Sequence, residues 1–115
     1  MTAVSNDTQN TLERIALGEI DLLEASIGLR EINREDSGLD ARAFSLVKIA
    51  ALVALDAPPA SYAWQVANAL AEGVEPEDII AVLRAIAPQV GGPRLIAAAP
   101  EIMLALGLEL PENAE

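Results

Sequence analysis

The chain has 115 residues, of which 52% are hydrophobic and 3% aromatic, and its 18 acidic against 7 basic residues give a formal net charge of −11. This length suits one domain with a real core, and the negative charge argues against nucleic acid or an anionic membrane as a partner. Cysteine and histidine are both absent, which excludes disulfides, thiol catalysis and the usual general base near neutral pH. The sequence also has no cofactor motif, so we predict no cofactor and no metal site.

The N-terminal stretch and the longest apolar run indicate where the protein resides. Residues 1–10, MTAVSNDTQN, lack the basic segment and apolar run of a signal peptide. The longest apolar run, AFSLVKIAALVAL, has 13 residues and contains a lysine, so it is too short to span a bilayer. We therefore expect a cytoplasmic protein.

Helix start and stop signals punctuate the N-terminal third of the chain. We predict that residues 1–7 are disordered and that Thr8 or Thr11 opens a short helix, which Gly18 ends. No segment of the chain is typical of a β-strand.

A second and a third helix follow. Asp21 and Glu24 are a plausible N-cap pair for a helix over LLEASIGLREINRE that Gly38 ends. Asp40 then caps a helix from Ala41 to about Leu55, which is apolar on almost every side. Such a helix needs cover on nearly all of its faces.

Prolines and glycines delimit the remaining helices. The fourth runs from about Pro59 to Glu72 and stops at Gly73, and the fifth covers EPEDIIAVLRAIA. The stretch PQVGGP is predicted to be a turn. One or two further helices, split at Pro100, end at Gly107. We therefore predict an all-α bundle of about six helices in a single domain, residues 8–110, with a loose acidic tail at 111–115.

A line of polar side chains lies on one face of the fourth predicted helix. Ser61, Gln65, Asn68 and Glu72 are spaced four, three and four residues apart, and Trp64, the only tryptophan, lies beside them. The line either faces water or lines a pocket.

Two polar residues interrupt the apolar third helix. Ser45 and Lys48 would extend a pocket, and a lysine in apolar surroundings can act as a base or an amine nucleophile. The alternative is that Lys48 extends to the surface or pairs with Glu72 or Asp56.

The motifs of the C-terminal two-thirds resemble those of a known family. The stretch LDARAFSLVKIAALVAL, a helix ending in ALAEGV, the segment EPEDI and the turn GGP occur in this order over residues 39–108. In this order they are similar to the carboxymuconolactone decarboxylase family, which includes the alkylhydroperoxidase D-like proteins. The resemblance implies an all-α fold that assembles as trimers or hexamers, with active sites near subunit contacts.

The reactive residues that the resemblance implies are replaced in this chain. The family's Cys-x-x-Cys-x-x-x-His pattern falls on Pro58, Ser61 and Gln65, and its upstream glutamate falls near Ser45 or Leu46. Peroxide reduction needs two thiols, and decarboxylation in the family relies on the histidine. Glutamine forms hydrogen bonds but does not titrate, so neither reaction is expected by its usual route.

Three functions are compatible with these residues. The first is a homo-oligomer whose pocket, lined by Ser45, Ser61, Gln65 and Asn68, binds a small apolar or carbonyl-bearing molecule. Trp64 and Tyr62 would be nearby apolar or stacking walls of this pocket. The second is a lactone decarboxylase-type enzyme in which Lys48 is the base or Schiff-base amine and Gln65 stabilises negative charge. The third is a non-catalytic oligomeric scaffold whose acidic residues 8–38 meet a partner.

Overall fold

The structure of the protein, a computed structural model, describes residues 3–19 and 30–112, with side chains from residue 34 onward in the second segment. Within these residues the chain is all α-helical, which confirms the predicted fold class. No described helix is long and apolar enough to cross a membrane. The helices are α1 (Asn6–Ala16), α2 (Arg30–Ser37), α3 (Ala41–Leu55), α4 (Pro59–Ala71), α5 (Pro76–Val90) and α6 (Gly92–Ala105).

The chain divides into two compact units, Met1–Ser37 and Gly38–Glu115. The division lies inside the single domain predicted for residues 8–110, which stays a prediction. The first unit contains α1 and α2, and the second contains α3 to α6.

In the first unit, α1 begins earlier than predicted. Ser5 is the N-cap, and its side chain accepts a hydrogen bond from the Thr8 backbone N–H at 3.1 Å. Asn6 and Asp7, predicted to be disordered, are therefore helical, because Ser5 satisfies a first-turn N–H that neither residue could satisfy itself. The predicted cap pair Asp21 and Glu24 lies outside the described residues.

The second unit opens with a helical hairpin formed by α3 and α4. Asp40 caps α3 by accepting from the Ala43 N–H at 2.7 Å, as predicted. The helix ends at Asp56, which adopts the left-handed conformation at φ 54°. Residues 56–58 then reverse the chain, and Pro59 occupies the first turn of α4, where its missing N–H costs nothing.

Two prolines lie inside helices rather than between them. The predicted turn at residues 88–93 is wrong in part, because α5 continues through Pro88 to Val90 and the chain turns at Gly91. The predicted split at Pro100 is also absent, and α6 is one helix. Each proline forfeits one backbone hydrogen bond. Because α6 continues through Pro100, Ala98 and Ile102 on either side of it both lie in the core.

The four helices of the second unit share one hydrophobic core. Its nine buried residues come from all four helices and from the turn after α4. An ion pair links α3 to α5 at their N-terminal ends, where Arg42 donates to Asp78 at 2.6 Å. The buried apolar residues are Ile49, Val53, Tyr62, Val66, Ala69, Val74, Ile79, Ala98 and Ile102.

Candidate functional site

The polar line predicted on α4 is turned partly into the protein interior. Gln65, in the middle of the line, is only 4% exposed, and Ser45 of α3 is fully buried. Trp64 and Asn68 are half-buried residues whose side-chain nitrogens are nevertheless shielded from solvent. The polar line is therefore not simply the solvent-exposed face of a helix.

Four buried polar atoms in this region have no hydrogen-bond partner within the part of the chain that the structure describes. We call the residues that carry them the polar quartet. Buried polar groups in proteins are nearly always paired, because leaving one unpaired costs about 1–3 kcal/mol. Four on two adjacent helices is therefore unusual. The atoms are Ser45 Oγ, Trp64 Nε1, Gln65 Nε2 and Asn68 Nδ2.

The helical hairpin sets the spacing of the polar quartet. Asn68 lies four residues after Trp64 and three after Gln65, so it neighbours both on the surface of α4, whereas Trp64 and Gln65 are consecutive and diverge around the helix. The helices α3 and α4 pack against each other and are joined by a short connection, as in an antiparallel pair. Ser45 and Asn68 are separated from this connection by similar numbers of residues. At a rise of about 1.5 Å per residue, they therefore lie at a similar level along the antiparallel pair.

The chemistry of the polar quartet is that of a hydrogen-bond donor set. An indole N–H can only donate, and the amide nitrogens of Gln65 and Asn68 are donors as well. The Ser45 hydroxyl can donate or accept. All four groups are uncharged, so the arrangement can orient a molecule that carries acceptor atoms, whereas it cannot itself exchange a proton near neutral pH.

Other residues of the predicted line are arranged differently. Ser61 is half-buried in the first turn of α4, where its backbone N–H donates to the Pro58 carbonyl at 3.0 Å. Glu72 is the C-cap of the same helix. Tyr62, predicted as a nearby wall, is a core residue that is 1% exposed. The ligand-binding role predicted for Ser61 stays a prediction.

Lys48, the predicted base, is half-buried rather than enclosed. Its ammonium lies 4.9 Å from the centre of the Phe44 ring, one turn back on α3. This is a cation–π contact of the kind that stabilises a charged ammonium. The catalytic roles predicted for Lys48 and Gln65 stay predictions.

A separate feature lies where the first turn of α4 meets the end of α6. It is an open groove of about 300 Å³ whose walls are almost entirely apolar, and it includes no member of the polar quartet. Close by, burial and the negative charges of Asp56 and Glu101 raise the pKa of Tyr62, while Arg94 opposes them. Arg94 also pairs with Asp56 at 3.3 Å. The groove is lined by Pro59, Ala60, Ala63, Glu101, Leu104 and Ala105.

Metal ligands do not gather anywhere in residues 3–19 and 30–112, where no three acidic, histidine or cysteine side chains are grouped to hold an ion. The polar quartet itself contains no carboxylate or imidazole.

Comparison with known proteins identifies the family. Neither the curated proteins nor the solved structures that were compared include a match to this chain. The family model for the carboxymuconolactone decarboxylase family matches residues 21–102, well over half of the sequence. The matched range includes the whole helical hairpin with the polar quartet. The chain therefore belongs to the carboxymuconolactone decarboxylase family.

Proposed function

We propose that this protein is a non-thiol member of its family that binds a small carbonyl-bearing molecule at the polar quartet. The observation that carries the proposal is the set of four buried polar atoms without partners in the described part of the chain. A bound molecule with acceptor oxygens would satisfy these groups and recover the free energy that their burial costs.

The residue types of the polar quartet favour binding over group transfer. Thiol-dependent peroxide reduction has no reagent in this sequence, since the chain contains no cysteine. Gln65 stands where the family resemblance implies a histidine, and an amide does not titrate. A preorganised donor set can still hold a carbonyl group in a fixed orientation.

We also propose that the protein is a homo-oligomer, which the surface of α3 supports. Val47 and Leu55 are 56% and 75% exposed, and Ala51 and Ala54 between them are exposed as well. Their spacing places all four on one stripe of the helix, without a charge. A second copy of the chain is the occupant that we propose for this stripe, since a subunit interface in a self-associating protein is characteristically apolar.

Native mass spectrometry of the purified full chain tests the binding function. We expect added mass on the wild type that Gln65→Met loses, because methionine has a similar shape but no donor. The matched control is Gln89→Met, since Gln89 is an exposed glutamine on α5, and it should retain the adduct. Added mass that is present on all three proteins, or on none of them, would contradict binding at the polar quartet.

The same spectra test the assembly. We expect a trimer or hexamer for the wild type and a shift toward monomer for Val47→Glu, because a carboxylate would be buried in the apolar interface. Ile80→Glu places the same change on α5, where Ile80 is 45% exposed, and it should leave the assembly intact. A monomeric wild type would refute the proposal.

A further inference from the structure

The groove between the first turn of α4 and the end of α6, which we call the α4–α6 groove, is a concave surface separate from the polar quartet. Its volume of about 300 Å³ is at the lower end of the range for small-molecule sites. Three of its six lining residues are alanines, whose short side chains leave space between the two helices. Leu104, which is 52% exposed, forms a larger apolar wall. The groove can therefore cover the apolar body of a small molecule.

One charged residue lies in this apolar lining. Glu101 is half-buried, and Leu104 and Ala105 lie three and four residues after it, so both neighbour it on the surface of α6. Its carboxylate forms no ion pair with any side chain in the described part of the chain. A partly buried carboxylate against apolar walls is stabilised by a cation that pairs with it.

The other charges near the α4–α6 groove do not neutralise Glu101. Burial raises the pKa of Tyr62, in the part of α4 that borders the groove, and the negative charges of Asp56 and Glu101 raise it further. Arg94 opposes them, but it pairs with Asp56 at 3.3 Å, so those two charges offset each other. The net charge of −11 adds a field that attracts cations and repels anions.

We infer that the α4–α6 groove binds a small organic cation, an ammonium group on a compact apolar body, whose ammonium pairs with the Glu101 carboxylate. This inference goes beyond the proposed function, because the groove includes no member of the polar quartet. An ammonium offers three donors to the two carboxylate oxygens. The apolar body leaves water as it packs against the alanines and Leu104, which favours binding.

Three small molecules of nearly one shape test the inference. They are cyclohexylmethylammonium, cyclohexylmethanol and cyclohexanecarboxylate, which carry a positive, a zero and a negative charge on the same ring. Such an amine is protonated at neutral pH, as lysine is. We expect the ammonium to bind about threefold to fivefold more tightly than the alcohol, the range of a partly exposed ion pair. The carboxylate should bind more weakly than either.

Methyl NMR of the full chain, labelled at its alanine methyl groups, locates the binding. The methyl groups of Ala60, Ala63 and Ala105 line the groove, so their signals should shift during the titration. Ala85 is exposed on α5, and its methyl signal is the reference that should not shift.

Two variants test the two parts of the site. Glu101→Gln keeps the shape of the side chain without its charge and should lower the ammonium affinity to about that of the alcohol. Its matched control is Glu77→Gln, the same change in the first turn of α5, which follows the opposite end of α4, and this variant should bind as the wild type does. Ala63→Leu fills the groove at an exposed position and should weaken the binding of ammonium and alcohol alike.

The contrary results are equally distinct. Alcohol or carboxylate binding as tight as ammonium binding, or ammonium affinity that survives Glu101→Gln, would overturn recognition of a cation. Affinity that survives Ala63→Leu would overturn the assignment to the α4–α6 groove. The absence of any shift at Ala60, Ala63 and Ala105 up to the solubility limit of the ammonium compound would overturn the whole inference.

Discussion

Replacing Gln65 with methionine should make the ligand-free protein more stable. Gln65 is 4% exposed and its amide nitrogen has no partner in the described part of the chain, so its burial costs about 1–3 kcal/mol. Methionine fills a similar volume, and a swap that conserves volume costs under about 1.5 kcal/mol. The net expectation is a gain of about 1–2 kcal/mol, or roughly 4–8 °C in Tm.

Urea denaturation followed by circular dichroism measures this difference. The midpoint should rise while the slope stays unchanged, which marks a change in stability rather than in the compactness of either state. Wild type and variant must be compared at one protein concentration, because self-association stabilises the folded state. Gln89→Met is the control, and a surface change of this kind should stay within about 0.5 kcal/mol of the wild type.

The opposite result would refute the reasoning. A loss of about 1 kcal/mol or more in Gln65→Met, with Gln89→Met unchanged, would mean that the amide of Gln65 is hydrogen-bonded in the free protein. The polar quartet would then be a satisfied network. The proposal that a ligand binds at the polar quartet would then lack the unpaired buried atoms on which it rests.

Three further predictions concern stability. Gly73 has φ 88°, and a Cβ added there would meet nothing within 4 Å. Gly73→Ala should therefore lower the free energy of unfolding, measured by urea denaturation, by about 1–2 kcal/mol through backbone strain alone. Gly92→Ala, at a glycine without positive φ, is the control and should not cause this loss. A backbone hydrogen bond and a nearby guanidinium lower the pKa of Asp78 below 3.8, so the stability that its carboxylate contributes is present above that pH and is lost as the pH falls through the folded-state pKa. In thermal melts, Asp78→Asn should therefore lose less Tm on acidification than the wild type. Equal losses of Tm would contradict this. Burial first, and then nearby negative charges, raise the pKa of Tyr62 above 10.0, so the stability that its neutral phenol contributes is full below pH 10.0 and is lost as the pH rises through the folded-state pKa. Tyr62→Phe should therefore lose less Tm than the wild type as the pH is raised. The same loss of Tm in both proteins would refute the raised pKa.

Much of the fold could be predicted from local signals. Asp40 and the glycine at residue 73 mark helix ends in the sequence, and the structure has them there. The prolines within helices could not be placed in the same way. A proline disfavours a helix by about 3 kcal/mol locally, whereas packing on both sides of Pro100 depends on tertiary contacts that the local sequence does not contain.

The polar line was only half predictable. Helical spacing correctly placed Gln65 and Asn68 on one face of α4, because that spacing depends only on the helix period. Whether the face is wet or buried depends on what packs over it. Polar residues on a helix are most often solvated, so their burial with Ser45 could be recognised only in the structure.

The helical hairpin also has a consequence for how the protein folds. Five of the nine core residues lie on α3 and α4, which are separated by a short connection, so their contacts are close in sequence. Contacts of this kind carry a small loop-closure cost and can form early. We expect Val66→Ala to slow folding, whereas Ile102→Ala on α6 should mainly speed unfolding. The polar quartet, which lies on the same hairpin, would then be assembled in the transition state, before α6 docks.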